Sequence, residues 1–147
     1  MNDFRPDTYH FTRQCLILAG WVGGLGVLVG AFGAHGMPAF LESRGMSAEA
    51  ISDRLETFEI GVRYHLWHAI VLLALPVATT CLPARPLRIV MGLLLLGIVL
   101  FSGSLYLLVL LDAPKLGMVT PLGGVSLIAA WGWLAVAAMR GGRKTQA

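Results

Sequence analysis

"IVMGLLLLGIVLFSGSLYLLVLL", residues 89–111, is an unbroken apolar run. At a rise of about 1.5 Å per residue it is long enough, as a helix, to cross a hydrocarbon core of about 30 Å. Three further windows of this kind flank it, at about 15–37, 64–82 and 121–139. Composition agrees with lipid as the solvent. Hydrophobic residues make up 56% of the 147 and charged residues 13%, about half the charged share usual in soluble domains. A chain this short could not hide so much apolar surface from water. The expectation is an all-α, four-span transmembrane helix bundle forming a single membrane domain over residues 1–147.

The edges of the windows carry matching chemistry. Pro38 follows the first span, Pro83 and Pro86 bracket the turn after the second, and Thr120-Pro121 reads as an N-cap followed by the first helical residue. Pro76 lies inside the second span and predicts a kink there. The first window is too long for a cleavable signal and reads as an uncleaved helix. Lys and Arg then set the orientation. Arg5, Arg13, Arg85, Arg88, Arg140, Arg143 and Lys144 fall on one side, and Arg44, Arg54, Arg63 and Lys115 on the other. This asymmetry predicts both termini in the cytoplasm. Basic residues at segment ends, with no exposed aromatics interleaved, exclude nucleic acid as a partner.

The outer loop from Pro38 to Arg63 has its own pattern. Ser47 can cap a helix with Glu49 in its first turn, and Ile51, Leu55, Phe58 and Val62 recur at helical spacing. Asp53, Glu56, Glu59 and Arg63 take the other side. This predicts an amphipathic helix on the outer surface or against the bundle, running into the second span.

Topology gathers the unusual residues. His35 closes the first span, and Tyr64, His65 and His68 open the second on the same side. "FSGSLY", residues 101–106, lies roughly 20–27 Å up the third span. Thr120 opens the fourth. A polar cluster of His35, Tyr64, His68, Ser102, Ser104, Tyr106 and Thr120 is therefore expected in the outer half, because polar rings at membrane depth turn inward and pair. Small residues suggest where helices meet. Gly23, Gly26, Gly30, Gly33 and Ala34 share one helical face, and Gly20–Gly24 and Gly26–Gly30 have the GxxxG spacing. Gly92, Gly97, Gly103, Gly123 and Gly124 are packing candidates on the later spans.

The remaining chemistry is sparse. His65-x-x-His68 with His35 offers three nitrogens, but no cysteine or carboxylate motif accompanies them, so neither metal nor cofactor is expected. Cys15 and Cys81 show neither a pairing signature nor a metal spacing. Gly123-Gly124 could cradle an anion at a helix start, yet no Arg or Lys stands nearby. No GxSxG elbow and no Ser–His–Asp set is visible, so catalysis is not expected. Trp21, Trp67, Trp131 and Trp133 read as packing or interface residues.

Taken in order, "GAFGAHG" (30–36), "YHLWH" (64–68), "GIVLFSGSLYLL" (97–108) and "VTPLGGVSLIAAWGW" (119–133) resemble the bacterial membrane family catalogued as domain of unknown function 423. The resemblance covers about residues 14–140. That family's second motif usually reads Tyr-Gln-x-x-His. Tyr64 and His68 match it, and His65 stands where the glutamine would be. The resemblance implies a small multi-spanning inner-membrane protein and no particular activity. Two functions are carried forward. One is a structural or accessory protein that packs with lipid and with itself or a larger membrane complex. The other is a transporter or channel-like protein using the outer polar cluster.

Overall fold

The computed structural model describes residues 6–141; Arg5, Arg143 and Lys144, counted above for orientation, lie outside them. All regular elements among the described residues are helical. They are α1 (Pro6–His35), α2 (Met37–Ser43), α3 (Ala48–Ala74), a 3-10 segment (Leu75–Thr80), α4 (Ala84–Leu110), a second 3-10 segment (Pro114–Met118) and α5 (Thr120–Gly141). Four helical stretches are long and apolar enough to span a membrane: 6–35, 48–80, 84–110 and 114–141.

Local chemistry explains the breaks. α1 stops at His35 because Gly36 and Pro38 follow: Pro38 has no N–H to continue the ladder, and a Cβ on Gly36 would meet the Phe32 ring at 2.7 Å. Beyond the end of α2, Gly45 turns the chain at a φ of +76°, which glycine adopts without strain. Ser47 caps α3 by accepting the Ala50 N–H at 3.3 Å, and α3 then runs unbroken from the loop after α2 through the second apolar window. Pro76 acts differently from the expected kink. The α-helix ends at Ala74 and tightens into the 3-10 segment. Thr79 and Thr80 bond back to the Pro76 and Val77 carbonyls at 2.7 and 2.8 Å, satisfying acceptors at the end of the segment that no further turn of helix would reach. Thr120 is the first residue of α5 rather than the cap before it.

The spans pack in chain order: α1 on α3, α3 on α4, α4 on α5. No close backbone approach joins α5 to α1 or to α3, while α4 touches α5, α3 and, over a short stretch, α1, so α4 is the most connected helix of an open row. Two apolar cores result. One, toward the end of the bundle that carries the α3–α4 turn, holds Phe11, Cys15, Leu72, Leu87, Leu94 and Leu127. The other, at the α2 end, holds Met37, Leu41, Phe58 and Val109, joined by Ile51, Leu55 and Val62 of the amphipathic stripe. The α2–α3 layer is clamped to the end of α4. Arg44 donates to the Leu110 carbonyl at 2.8 Å and Arg54 pairs with Asp112. Cations at a helix C-terminus meet its unpaired carbonyls and its negative dipole end.

Glycine marks the tight seams. Cβ atoms added at Gly26, Gly30 and Gly33 would meet Leu66, Val62 and Phe58 of α3 at 2.8, 3.1 and 2.8 Å. Gly23 faces Ala69 at an ordinary 3.9 Å. Along α4–α5 the close approaches are Gly97 against Leu127 and Gly123 against the Phe101 backbone. Gly103, expected to pack, looks into open space, as do Gly20, Gly24 and Gly92. Gly124 meets only the Phe101 ring, at 3.8 Å.

Candidate functional site

Between the two cores lies a polar layer, and its hub is His65. The ring is 4% exposed. Its Nε2 is 2.9 Å from the Val22 carbonyl of α1, and its Nδ1 is 3.2 Å from the Tyr106 hydroxyl of α4. A carbonyl only accepts, so Nε2 carries the proton and donates. Nδ1 then accepts from the Tyr106 O–H. One imidazole thereby joins α1, α3 and α4.

Two glycines make this geometry available. Gly26 lies one turn after Val22, and a Cβ there would come within 3.3 Å of His65 Cδ2. Its bare backbone lets the ring reach the Val22 carbonyl. Gly61 lies one turn before His65, and a Cβ there would meet the Tyr106 ring at 2.8 Å. Tyr106 can therefore lie flat against α3, with its ring 4.9 Å from Phe58 and its hydroxyl beside His65.

The expected cluster divides into separate parts. His35 is exposed and its ring makes no hydrogen bond to any described residue, so it is not a member. The helix ends at His35 itself, one residue before Gly36 turns the chain, and this leaves the ring outside the packed face. Ser104 bonds the Thr120 hydroxyl at 2.8 Å and the Phe101 carbonyl at 2.9 Å, forming a second node between α4 and the start of α5. Ser126, not anticipated, donates to the Leu93 carbonyl at 2.8 Å across the same seam. Ser102 Oγ is buried close to the Tyr106 hydroxyl yet makes no hydrogen bond of regular geometry.

His68, three residues after His65, points to the other flank of α3. Its Nδ1 donates to the Tyr64 carbonyl at 2.7 Å, and its ring stacks on Tyr64 with centroids 6.0 Å apart. Tyr64 in turn packs on Phe101 at 4.5 Å. The three-histidine metal set does not form. Among the described residues no three His, Cys, Asp or Glu side chains gather as a ligand set. The two thiols are also free, Cys15 buried and Cys81 exposed.

His65 was the residue that sequence reasoning undervalued. Its signal was the departure from Tyr-Gln-x-x-His: glutamine and histidine both offer one donor and one acceptor at a similar reach. A notch of about 390 Å³ opens at the α2 end of the bundle, between Gly30 and Gly33 of α1 and Phe58 and Val62 of α3. Glu59 and Arg63 stand at its rim, 3.9 Å apart and well exposed. An exposed pair of this kind contributes little binding energy.

The four motifs and the helices that carry them have clear relatives. The family described as "Protein of unknown function (DUF423)" matches residues 29–124. The UPF0382 membrane protein YwdK of Bacillus subtilis is 38% identical over 117 residues, covering 79% of this chain and 88% of that protein. The UPF0382 inner membrane protein YgdD of Escherichia coli is 37% identical over 133 residues, covering 90% and 95%. No solved structure matches the chain. Residues 29–124 hold three motifs whole and the opening of the fourth, from the glycine-rich end of α1 to the paired glycines of α5; the chain belongs to the DUF423 family of membrane proteins.

Proposed function

We propose that this protein is a structural or accessory component of the bacterial inner membrane, a single membrane domain with both termini in the cytoplasm. It works as a fixed helix assembly, alone as a homo-oligomer or within a larger membrane complex. The observation that carries this reading is His65. A relay or transport site needs a polar group that can exchange partners with water or cargo. Both nitrogens of His65 are already bonded, to two other helices, in a ring 4% exposed. Interhelical bonds of this kind are modest, averaging about 0.6 kcal/mol in membranes, but they fix which faces meet. The name of the Escherichia coli relative, an inner membrane protein, supports the location, and the Lys and Arg asymmetry supports the orientation.

Proton flux across proteoliposomes, read with an enclosed pH dye, tests the reading. Flux should equal that of empty vesicles. Flux that requires the protein and disappears in His65→Leu would overturn it in favour of the transporter alternative. Reporter fusions after residue 143 should read cytoplasm, and insertions at Ser47 should read the outer side. The opposite pair of results would invert the orientation.

A further inference from the structure

The flank of α3 turned away from α1 bounds a groove of about 350 Å³. Tyr64, Trp67 and His68 of α3 form one wall, Phe101 of α4 lies between, and Leu127 and Trp131 of α5 form the other wall. Because α3 and α5 have no close backbone approach, the groove opens sideways. Trp67 and Trp131 at its edges are 54% and 51% exposed. Both are on membrane-spanning stretches, so whatever enters comes from the lipid phase.

The imidazole on the groove wall keeps an acceptor that no described residue satisfies. His68 is 6% exposed. Its Nδ1–H is committed to the Tyr64 carbonyl, and in a neutral ring this makes Nε2 an acceptor. Nε2 lies on the far edge of the ring from that carbonyl, and it bonds to no described residue. The side chain is largely buried, yet Nε2 is not among the fully buried atoms left without a partner, so this acceptor is open to a donor that enters from the lipid side. An acyl chain has none to give. Water could donate, but a stable buried water needs two to four polar partners, and beside Nε2 only the Tyr64 hydroxyl and the Trp67 and Trp131 N–H groups interrupt an apolar lining.

We propose that this groove binds a lipid-soluble hydroxyaromatic, a molecule with a phenol- or quinol-type O–H on a flat ring. The hydroxyl donates to His68 Nε2. The ring lies among Tyr64, Trp67, Phe101 and Trp131, whose faces and edges favour offset or edge-on aromatic contact. The volume falls at the lower end of small-molecule sites, enough for one ring and a short stretch of tail, with the remainder of a longer tail left in lipid. This site is separate from the His65 node and does not depend on the structural reading above.

The test uses the full chain in nanodiscs with two probes of nearly equal shape, para-pentylphenol and para-pentylanisole. Binding is read by quenching of tryptophan fluorescence. The phenol should bind about three- to tenfold more tightly, the range expected for one hydrogen bond in this setting. In His68→Phe, which keeps a ring but removes the acceptor, the two probes should bind alike. Equal affinities in the unmodified protein would overturn the proposal and leave a groove for acyl chains. So would discrimination that survives in His68→Phe. If that variant fails to fold, the nitrogen-15 resonance of His68 Nε2 in the unmodified protein decides. It should move with the phenol and stay still with the anisole; equal movement with both would overturn the proposal. A short-chain quinol and its quinone extend the same logic, since only the reduced form can donate. Preference for the quinol assigns the quinol branch of the class, and preference for the quinone would count against the proposal.

Discussion

The two flanks of α3 treat a histidine in opposite ways. On the α1 flank, glycines strip the facing helix of side chains, the backbones close in, and His65 finds two partners. On the α5 flank, aromatic rings hold the helices apart, and His68 spends one nitrogen on its own backbone and keeps the other free. The residues are less than one turn apart, so depth and lipid are nearly the same for both. The difference is made by the neighbouring helix: where it is thin, the polar atom becomes a fastening; where it is bulky, the polar atom faces a vacant groove.

This contrast can be broken experimentally, most strongly at the glycines. Gly33→Leu should destabilise the protein by about 1–3 kcal/mol through overpacking, because Phe58 is buried and already within 2.9 Å of the added Cβ. A clear fall in melting temperature in mild detergent is expected. Gly24→Leu, with nothing within 4 Å, should leave the melting temperature almost unchanged. Equal effects at both positions would mean that the α1–α3 seam is not what holds α1.

A smaller loss is expected at the hub. His65→Leu removes both bonds and leaves the Tyr106 hydroxyl buried without its acceptor, which costs about 1–2 kcal/mol. His65→Gln should recover most of that loss, because the amide can donate and accept. Steric-trap unfolding in bicelles would measure both. A His65→Gln variant as weak as His65→Leu would show that ring packing, not pairing, is the contribution of this residue.

The smaller node comes next. Ser104→Ala removes the bond to Thr120 at the α4–α5 seam, worth about 0.6 kcal/mol on average. Smallest of all, ligand-free His68→Phe should change stability by less than about 0.5 kcal/mol, since no bond to another helix is lost. A large loss there would make the second flank as structural as the first and remove the contrast.

The spans were legible because lipid imposes one rule, a long apolar run with its backbone satisfied internally, and residues 89–111 obey it plainly. Ser47 was legible as a cap, and Ile51, Leu55, Phe58 and Val62 as one face, because both are local patterns. The ends were harder. α1 begins nine residues before its apolar window, because Phe11 and Cys15 bury against α3 and α4, a contact that hydropathy cannot register. The polar layer was legible in depth and not in direction. Topology brings His35, Tyr64 and His68 to one level, but a residue's angle around its helix decides its partner. That angle turns His35 outward and His65 inward. Gly103 misled for the same reason: small side chains permit close approach without requiring it.

The order of the row also bears on how the protein is made. Each extensive seam joins spans that follow one another along the chain, so the contacts are short in sequence and closing them demands little loop entropy. Each new span has its main partner in the span made just before it, and the smaller α1–α4 contact is the part that waits for the third span. His65 records that sequence of events. Its Nε2 can meet the Val22 carbonyl as soon as the second span docks, while Nδ1 must wait for Tyr106 to arrive with the third. The same imidazole that fastens three helices in the finished protein is therefore completed in two stages of biogenesis, and a chain stalled after the second span would hold it half-bonded.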